Sequence, residues 1–507
     1  MMGKAKDREG KLFYTGVSLD SRIPEGHPLR KVKRVVDFAF VRDEVRGLYG
    51  RRGNPSIDPA VLLKLMFLLF FEGVKSEREL MAQMSYRLDW LWFCDYDLDE
   101  GIPDHSVLSK ARRRWGPDVF AGFFQRVLDQ CIKAGLVDGS LVHVDGSVIR
   151  ANASMESLRP VSEALYRRLE ESARGSEAPA AQEPDEDQEG KGGQGRKAGK
   201  DKEVMISATD PDARLAKKGG KTTLGYKEHR VVDDRHGVIT ASETTDACQA
   251  EARHVKEVLD AHRENTGTVE RTVVGDKGYG TAEVYQEMSR RGAKPCIPHQ
   301  KHGCSQGTFG THMFRYEAER DCYVCPAGRV LMRSAGGRRS AGKVVKYYAR
   351  GEECACCGLR GRCTSNVRGR IVKRDARQGY VEWADGCYSG SQRAYLQGRR
   401  RTVAEGSFAD AANNHGYKRA RWRGLWRMKI QNLLICVCQN IRKMLRHALR
   451  RPVCAALRAV LPVHGRRNAT SAAGSALTGL LMLVCAAIVA CATARRSILI
   501  TQHAGAV

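Results

Sequence analysis

Near the N-terminus, residues 60–71 are apolar at every position except Lys64, and Asp58-Pro59 ahead of them offers an N-cap followed by proline at the first helical position. The run predicts a core or dimer helix, too short to cross a bilayer. Ser76-Glu77-Arg78-Glu79 has capping-box spacing and predicts a second helix through Met84, with Trp90, Trp92, Phe93 and Tyr96 packing behind it. After the Gly101-Ile102-Pro103 break, Asp104 or Ser106 caps a basic helix ending at Trp115.

From residue 139 the pattern changes period. Leu141 to Arg150 is a β-branched run that delivers Asp145 into a Gly-Ser turn and then resumes apolar, which predicts a buried strand with Asp145 at its end. Arg271 to Gly280 repeats the design around Asp276. Between them, residues 225–233 and 238–244 predict a hairpin turning near 234–237, and a helix follows at 250–264. The order is three strands, then helix, strand, helix. Residues 172–203 are polar and low in complexity and predict a flexible insertion. Asp210 and Asp212 flank a proline and read as turn starters before they read as ligands. His229 and Tyr279 fall near the same surface, where packing is the commoner role.

Charge narrows the partners. Lys and Arg number 85 against 58 Asp and Glu, a net +27, and a polyanion, nucleic acid first, suits that excess because neutralised phosphates release counterions. The short helix, turn and basic helix near 77–115 outline a helix-turn-helix, with Lys110, Arg112, Arg113 and Arg114 as phosphate contacts. A helical bundle with a solvated cationic face is the alternative. A second basic group, Lys418, Arg419, Arg421 and Arg423, is interleaved with Trp422 and Trp426 and suits a sugar-phosphate backbone.

Seventeen cysteines in 507 residues are not a secreted disulfide framework, and a reducing cytoplasm is the expected compartment. Cys322-x-x-Cys325 and Cys354-x-x-Cys357 can close a tetrahedral zinc site, with Cys363 able to replace one of the four. Such a site would stabilise a short β-rich insert over about 295–390. Redox-active or free thiols are the alternative.

Two strand-end aspartates suggest one metal centre, and Glu405, behind the basic run Arg399-Arg400-Arg401, offers a third acid. Making and breaking phosphodiesters calls for two hard cations about 4 Å apart, held by carboxylate oxygens. At these residues the chain resembles bacterial insertion-sequence transposases of the DDE class, in the branch with a cysteine-rich insert before the glutamate. The likeness is carried by VHVDGSVIRANAS, ATDPDA, GYKEH, VVGDKGYG, CYVCPAGRVL, TVAEGSF, RARWRGL and QNIRKML, and runs from about Ile57 to Leu445.

The resemblance implies an α/β protein with a ribonuclease-H-like mixed sheet, an N-terminal helical DNA-binding domain (1–138) and a catalytic domain split as 139–294 and 391–451 around a zinc-ribbon-like insert. It implies Mg²⁺ or Mn²⁺ on Asp145, Asp276 and Glu405, cleavage at terminal inverted repeats, transfer of 3′ ends into target DNA, and at least a homodimer in the end complex. No small-molecule substrate is expected. Arg400 or Arg401 fills an upstream cation position, whereas Ala412 stands where relatives carry a lysine, which puts the activity of this copy in question. A zinc-containing DNA-binding regulator, an inactive remnant and a structure-selective nuclease are the alternatives. Beyond about 451 the likeness ends. Residues 475–494 carry no charge and are long enough to span a bilayer, yet they are rich in small residues and read as an irregular extension rather than a membrane anchor.

Overall fold

The strands in chain order are β1 (Leu141–Arg150), β2 (Leu158–Pro160), β3 (Met205–Ser207), β4 (Arg214–Lys218), β5 (Lys221–Asp233), β6 (Ile239–Asp246), β7 (Thr272–Gly275) and β8 (Lys294–Cys296). β1 lies at the centre of the main sheet, antiparallel to β5 and parallel to β7. β6 and β4 pair antiparallel with successive parts of β5, and β8 extends the other side parallel to β7. The main path is therefore β4-β5-β1-β7-β8, a mixed sheet, with β6 paired to β5 off that path. β2 and β3 form a separate ribbon. The helices Val255–Thr266 and Ala282–Arg291 make the crossovers on either side of β7, as the order of apolar runs predicts.

This computed structural model describes residues 2, 18–161, 205–218, 220–299, 309–333 and 344–460, with side chains through 447. The polar insertion and the apolar 475–494 segment lie outside the described residues. Among those described, no helix is long and apolar enough to cross a membrane. The described residues up to His447 form one compact unit.

The N-terminal helices form as their caps dictate. Asp58 accepts from the Ala60 amide at 3.1 Å and from Arg42 Nε at 2.8 Å, and the helix Pro59–Phe71 that follows is buried at nearly every position. Ser76 caps Glu77–Met84 through the Glu79 amide at 3.1 Å. Asp104 accepts from the Ser106 amide at 2.8 Å at the start of Ser106–Trp115. These helices do not close a core of their own. Leu62, Leu63, Phe67 and Phe70 share one apolar cluster with Ile149 and Tyr226 of the sheet and with Ile430, Leu434 and Ile441 of the helix Leu425–Val460.

Polar side chains fix that last helix against the sheet. The Asn440 amide pairs with the Ile239 backbone, accepting from its N–H at 2.9 Å and donating to its carbonyl at 2.8 Å, and so completes the open side of β6. Asp210 and Asp212 serve the same helix. Asp210 accepts from the Gly424 amide at 3.0 Å and the Tyr226 hydroxyl at 2.5 Å, and Asp212 accepts from the Leu425 amide at 2.8 Å. Two carboxylates on unpaired N–H groups at a helix N-terminus are a structural arrangement, so the ATDPDA acids cap a helix.

The insert is β-rich as expected. β9 (Arg315–Glu317), β10 (Cys322–Val324), β11 (Val330–Arg333), β12 (Val344–Tyr348) and β13 (Ile371–Asp375) form an antiparallel sheet over a small core of Phe314, Tyr323, Leu331, Tyr347 and Val372.

Candidate metal centre and nucleic-acid surface

Strand register brings the two aspartates together. β7 ends at Gly275, which pairs with Val144 of β1 in parallel. Asp145 and Asp276 are each the next residue, on neighbouring strands that lie about 4.8 Å apart. One expectation needs correcting. Asp145 does not lead into a turn, because β1 continues through Gly146 and Ser147 to Arg150 against β5. What ends at Asp145 is the pairing with β7, which opens one edge of β1 there.

Asp145 is buried, and its Oδ1 accepts from the Gly146 amide at 2.9 Å. Burial raises its carboxyl to about 6; Arg400 and the Gly146 amide oppose the rise, and the charges of Asp276 and Glu251 add to it. Asp276 caps the turn Lys277–Tyr279, accepting from the Gly278 amide at 2.7 Å.

Glu405 comes from the far side of the insert. The helix Gly390–Arg400 is pinned to the strand ends by Gln397, which donates to the carbonyls of Gly275 at 3.1 Å and Cys296 at 2.7 Å. Arg399 holds it from the other side through Asp234 at 3.0 Å. The chain then takes one wide π turn, Arg401–Glu405, before the helix Gly406–His415. Such turns are rare inside helices and recur at functional sites. Arg400 lies between the acids, its Nη2 2.6 Å from Glu405 Oε1 and its Nη1 3.4 Å from Asp145 Oδ2. Arg401 is exposed.

The Glu405 helix is held from beneath by buried charge. Arg230, opposite Asp145 in the β1–β5 register, pairs with Glu228 at 2.7 Å and donates to Ser407 Oγ and Gln439 Oε1, each at 3.0 Å. Its guanidinium lies 4.5 Å from the Phe408 ring. Gln439 in turn donates to the Ser407 carbonyl at 2.8 Å. The GYKEH and QNIRKML stretches therefore meet in one network that sets where Glu405 stands. His229 is buried beside it, its Nε2 3.1 Å from Thr245 Oγ1, and burial pushes its imidazole down to about 3.

One acid escaped the sequence reading. Glu251, on the short turn Glu251–His254 before the Val255 helix, lies against the glycines that follow both aspartates. A Cβ at Gly146 would meet the Glu251 carboxyl at 3.3 Å, and one at Gly278 would collide with its Oε2. The only signal in the sequence is a glycine one or two places after each aspartate.

Among the described residues, no group of three or more His, Cys, Asp or Glu side chains is arranged to hold a metal ion. At the aspartates the chemistry of the donors still fits a hard cation, since every one is a carboxylate oxygen. In the insert, burial raises the Cys363 thiol, Arg370 opposes the rise, and Cys354, Cys325 and Cys357 add to it. Cys325 Sγ accepts from the Arg329 amide at 3.3 Å. Cys322 is not among the thiols that act on Cys363. It is buried on β10 with its thiol 3.8 Å from Glu317 across the strand pair, because Cys322 and Cys325 are separated by a strand end and a turn.

The basic residues sort into two kinds. Lys110, Arg113, Arg114, Lys418, Arg419 and Arg423 are exposed. Arg112 is not on that surface: it is buried, paired with Glu77, with its guanidinium 3.8 Å from the Trp422 ring. Arg421 is also drawn inward, donating to the Leu69 carbonyl at 3.1 Å and lying 4.3 Å from the Phe70 ring, and burial lowers it to about 10. Trp422 Nε1 donates to Glu77 at 3.1 Å, so this tryptophan joins the N-terminal helices to the chain after Gly416.

Residues 324–445 match the family described as the transposase DDE domain, and residues 17–114 match the transposase domain DUF772. Both matched regions are thus similar to transposase domains. The DDE match includes Glu405 and stops short of both aspartates. No curated protein matches the chain. Among solved structures, the piggyBac transposase synaptic complex with hairpin DNA aligns at 9% identity with a TM-score of 0.34, covering 88% of this chain and 79% of that one. That likeness is too loose to bear on fold or partners.

Proposed function

We propose that this protein is a transposase that cuts DNA at the terminal inverted repeats of an insertion sequence and joins the freed 3′ ends to target DNA, on a ribonuclease-H-like sheet. Asp145, Asp276 and Glu405 would hold Mg²⁺ or Mn²⁺. The observation that carries the reading is the β1–β7 register, which sets two carboxylates side by side at the open end of a mixed sheet. When bound, the cations would activate the attacking oxygen and stabilise the leaving one. The protein's own work is positional. Gln397 and the Arg230–Glu228 pair set the Glu405 turn, the register sets the aspartates, and Arg400 neutralises acids that would otherwise repel one another.

Lys110, Arg113, Arg114, Arg401, Lys418, Arg419 and Arg423 are the cations available for phosphate contacts, and binding by them would weaken steeply with salt. Holding two ends at once would require at least a dimer. A structural zinc in the insert would use Cys325, Cys354, Cys357 and Cys363, with Cys322 outside the site.

The test mixes the full chain with DNA bearing the element's ends, target plasmid and Mg²⁺. Joined products are the expected result. Cuts without joining would replace the reading with a nuclease, and retarded but uncut DNA would leave a DNA-binding regulator.

A further inference from the structure

We infer that Glu251 is a fourth carboxylate of the metal centre, a ligand beside Asp145 and Asp276 on the sheet side, opposite Glu405. The inference rests on the proposed metal-dependent chemistry.

Its position is the first argument. The glycines following the two aspartates are where the backbone leaves room for a third acid: the Glu251 carboxyl lies 3.3 Å from the place of a Gly146 Cβ and occupies that of a Gly278 Cβ, itself 3.0 Å from Asp276 Oδ1. A side chain at either position would drive Glu251 away from both aspartates. Glu251 is placed by its own turn and by Lys227, whose Nζ donates to the Gln249 carbonyl at 2.7 Å and stands 3.7 Å from Glu251 Oε1.

Tyr279 supplies an independent sign of a ligand. Its side chain is buried, at 1% exposure, and its hydroxyl has no hydrogen-bond partner among the described residues. The charges that act on that hydroxyl are Glu251 first, then Asp145 and Asp276, with Arg400 opposing them. A buried hydroxyl without a partner is rare, and one under the charge of these carboxylates suits the water of a hydrated cation. Charge agrees. Two divalent cations bring four positive charges, and Asp145, Asp276 and Glu405 alone bring three negative ones; Glu251 matches the ions' charge by itself, and Arg400, now on Asp145 and Glu405, is then in excess and can turn to phosphate.

The experiment titrates Mn²⁺ into the full-length chain without DNA, with free Mn²⁺ read by electron paramagnetic resonance. Wild type is compared with Glu251→Gln, Glu251→Asp, Asp145→Asn and Asp276→Asn. Glu251→Gln is expected to weaken Mn²⁺ binding at least fivefold, or to lose one bound ion, and Glu251→Asp, withdrawn by one methylene, at least threefold. If both Glu251 variants bind as wild type does while either aspartate variant fails, Glu251 is not a ligand and the centre stands without it. If no variant alters Mn²⁺ binding, the metal centre falls together with the proposed function. Should Glu251→Gln not fold, Glu251→Asp keeps the charge and carries the test alone, and unchanged affinity in it overturns the inference.

Discussion

Arg400 and Asp145 meet at 3.4 Å across 255 positions of sequence. The same guanidinium holds Glu405 at 2.6 Å, so a cation of the chain itself bridges the first and last acids of the proposed centre. Removing it should favour metal. Arg400→Ala is expected to bind Mn²⁺ about three- to tenfold more tightly in the absence of DNA, the worth of roughly 1 kcal/mol of half-buried ion pairing. Equal or weaker binding by titration would mean that Arg400 organises the acids and does not compete for them.

The Arg230–Glu228 pair is wholly buried, and breaking it leaves one uncompensated charge. Arg230→Met should destabilise the chain by about 3–5 kcal/mol. Glu228→Gln should do the same, since Glu228 Oε1 also accepts from Ser242 at 2.6 Å. Urea denaturation reads both, and a loss below about 1 kcal/mol in either would show that the Glu405 helix is held by other contacts.

His229 gives the acid side of the stability curve. Burial first, then the charges of His254 and Lys227, lower its folded pKa to about 3. Its unfolded value is about 6.5, so below that pH the unfolded chain takes the proton and the folded chain does not. Its contribution is therefore whole above about pH 6.5 and is lost as pH falls towards 3. Between pH 6.5 and 5 this one group should cost up to about 2 kcal/mol, at about 1.4 kcal/mol per unit. His415, pushed down to about 4 by burial, acts in the same direction. Urea midpoints at pH 7 and pH 5 should lie closer together for His229→Gln than for wild type, and an equal spacing would exclude this titration.

In the insert the thiols predict a contrast. Cys363→Ser should lower the zinc content of purified protein by about one ion per chain, while Cys322→Ser should leave it unchanged. Plasma emission spectrometry gives the count, and loss in the Cys322 variant would return that cysteine to the site.

The strand order and the capped helices were legible because each is local: alternation of apolar positions and an Asp-Pro start. The reach of β1 past Asp145 was not, because it depends on β5 being longer than β7. Arg112 and Arg421 read as surface cations because charge usually marks surface, and only the three-dimensional meeting of Glu77, Trp422 and Phe70 draws them in. Cys-x-x-Cys spacing likewise does not say that a strand ends between Cys322 and Cys325. Gly225 and Gly280 each let a neighbouring backbone come close, the Ile149 carbonyl in one case and Pro298 in the other, a contact that spacing along the chain does not show.

The cluster that joins Phe67 and Phe70 to Ile430 and Leu434 ties the beginning of the chain to its last described helix. A ribosome releases those two parts some 360 residues apart, and at bacterial rates that interval lasts on the order of half a minute. Until it closes, the Pro59–Phe71 helix is covered only by the other N-terminal helices, through contacts such as Phe67 on Phe38 and Phe93, and the face meant for Ile430 and Leu434 stays open to chaperones and to aggregation. A copy truncated before residue 425 would thus keep that apolar face exposed and lose the seam that joins the two ends of the chain.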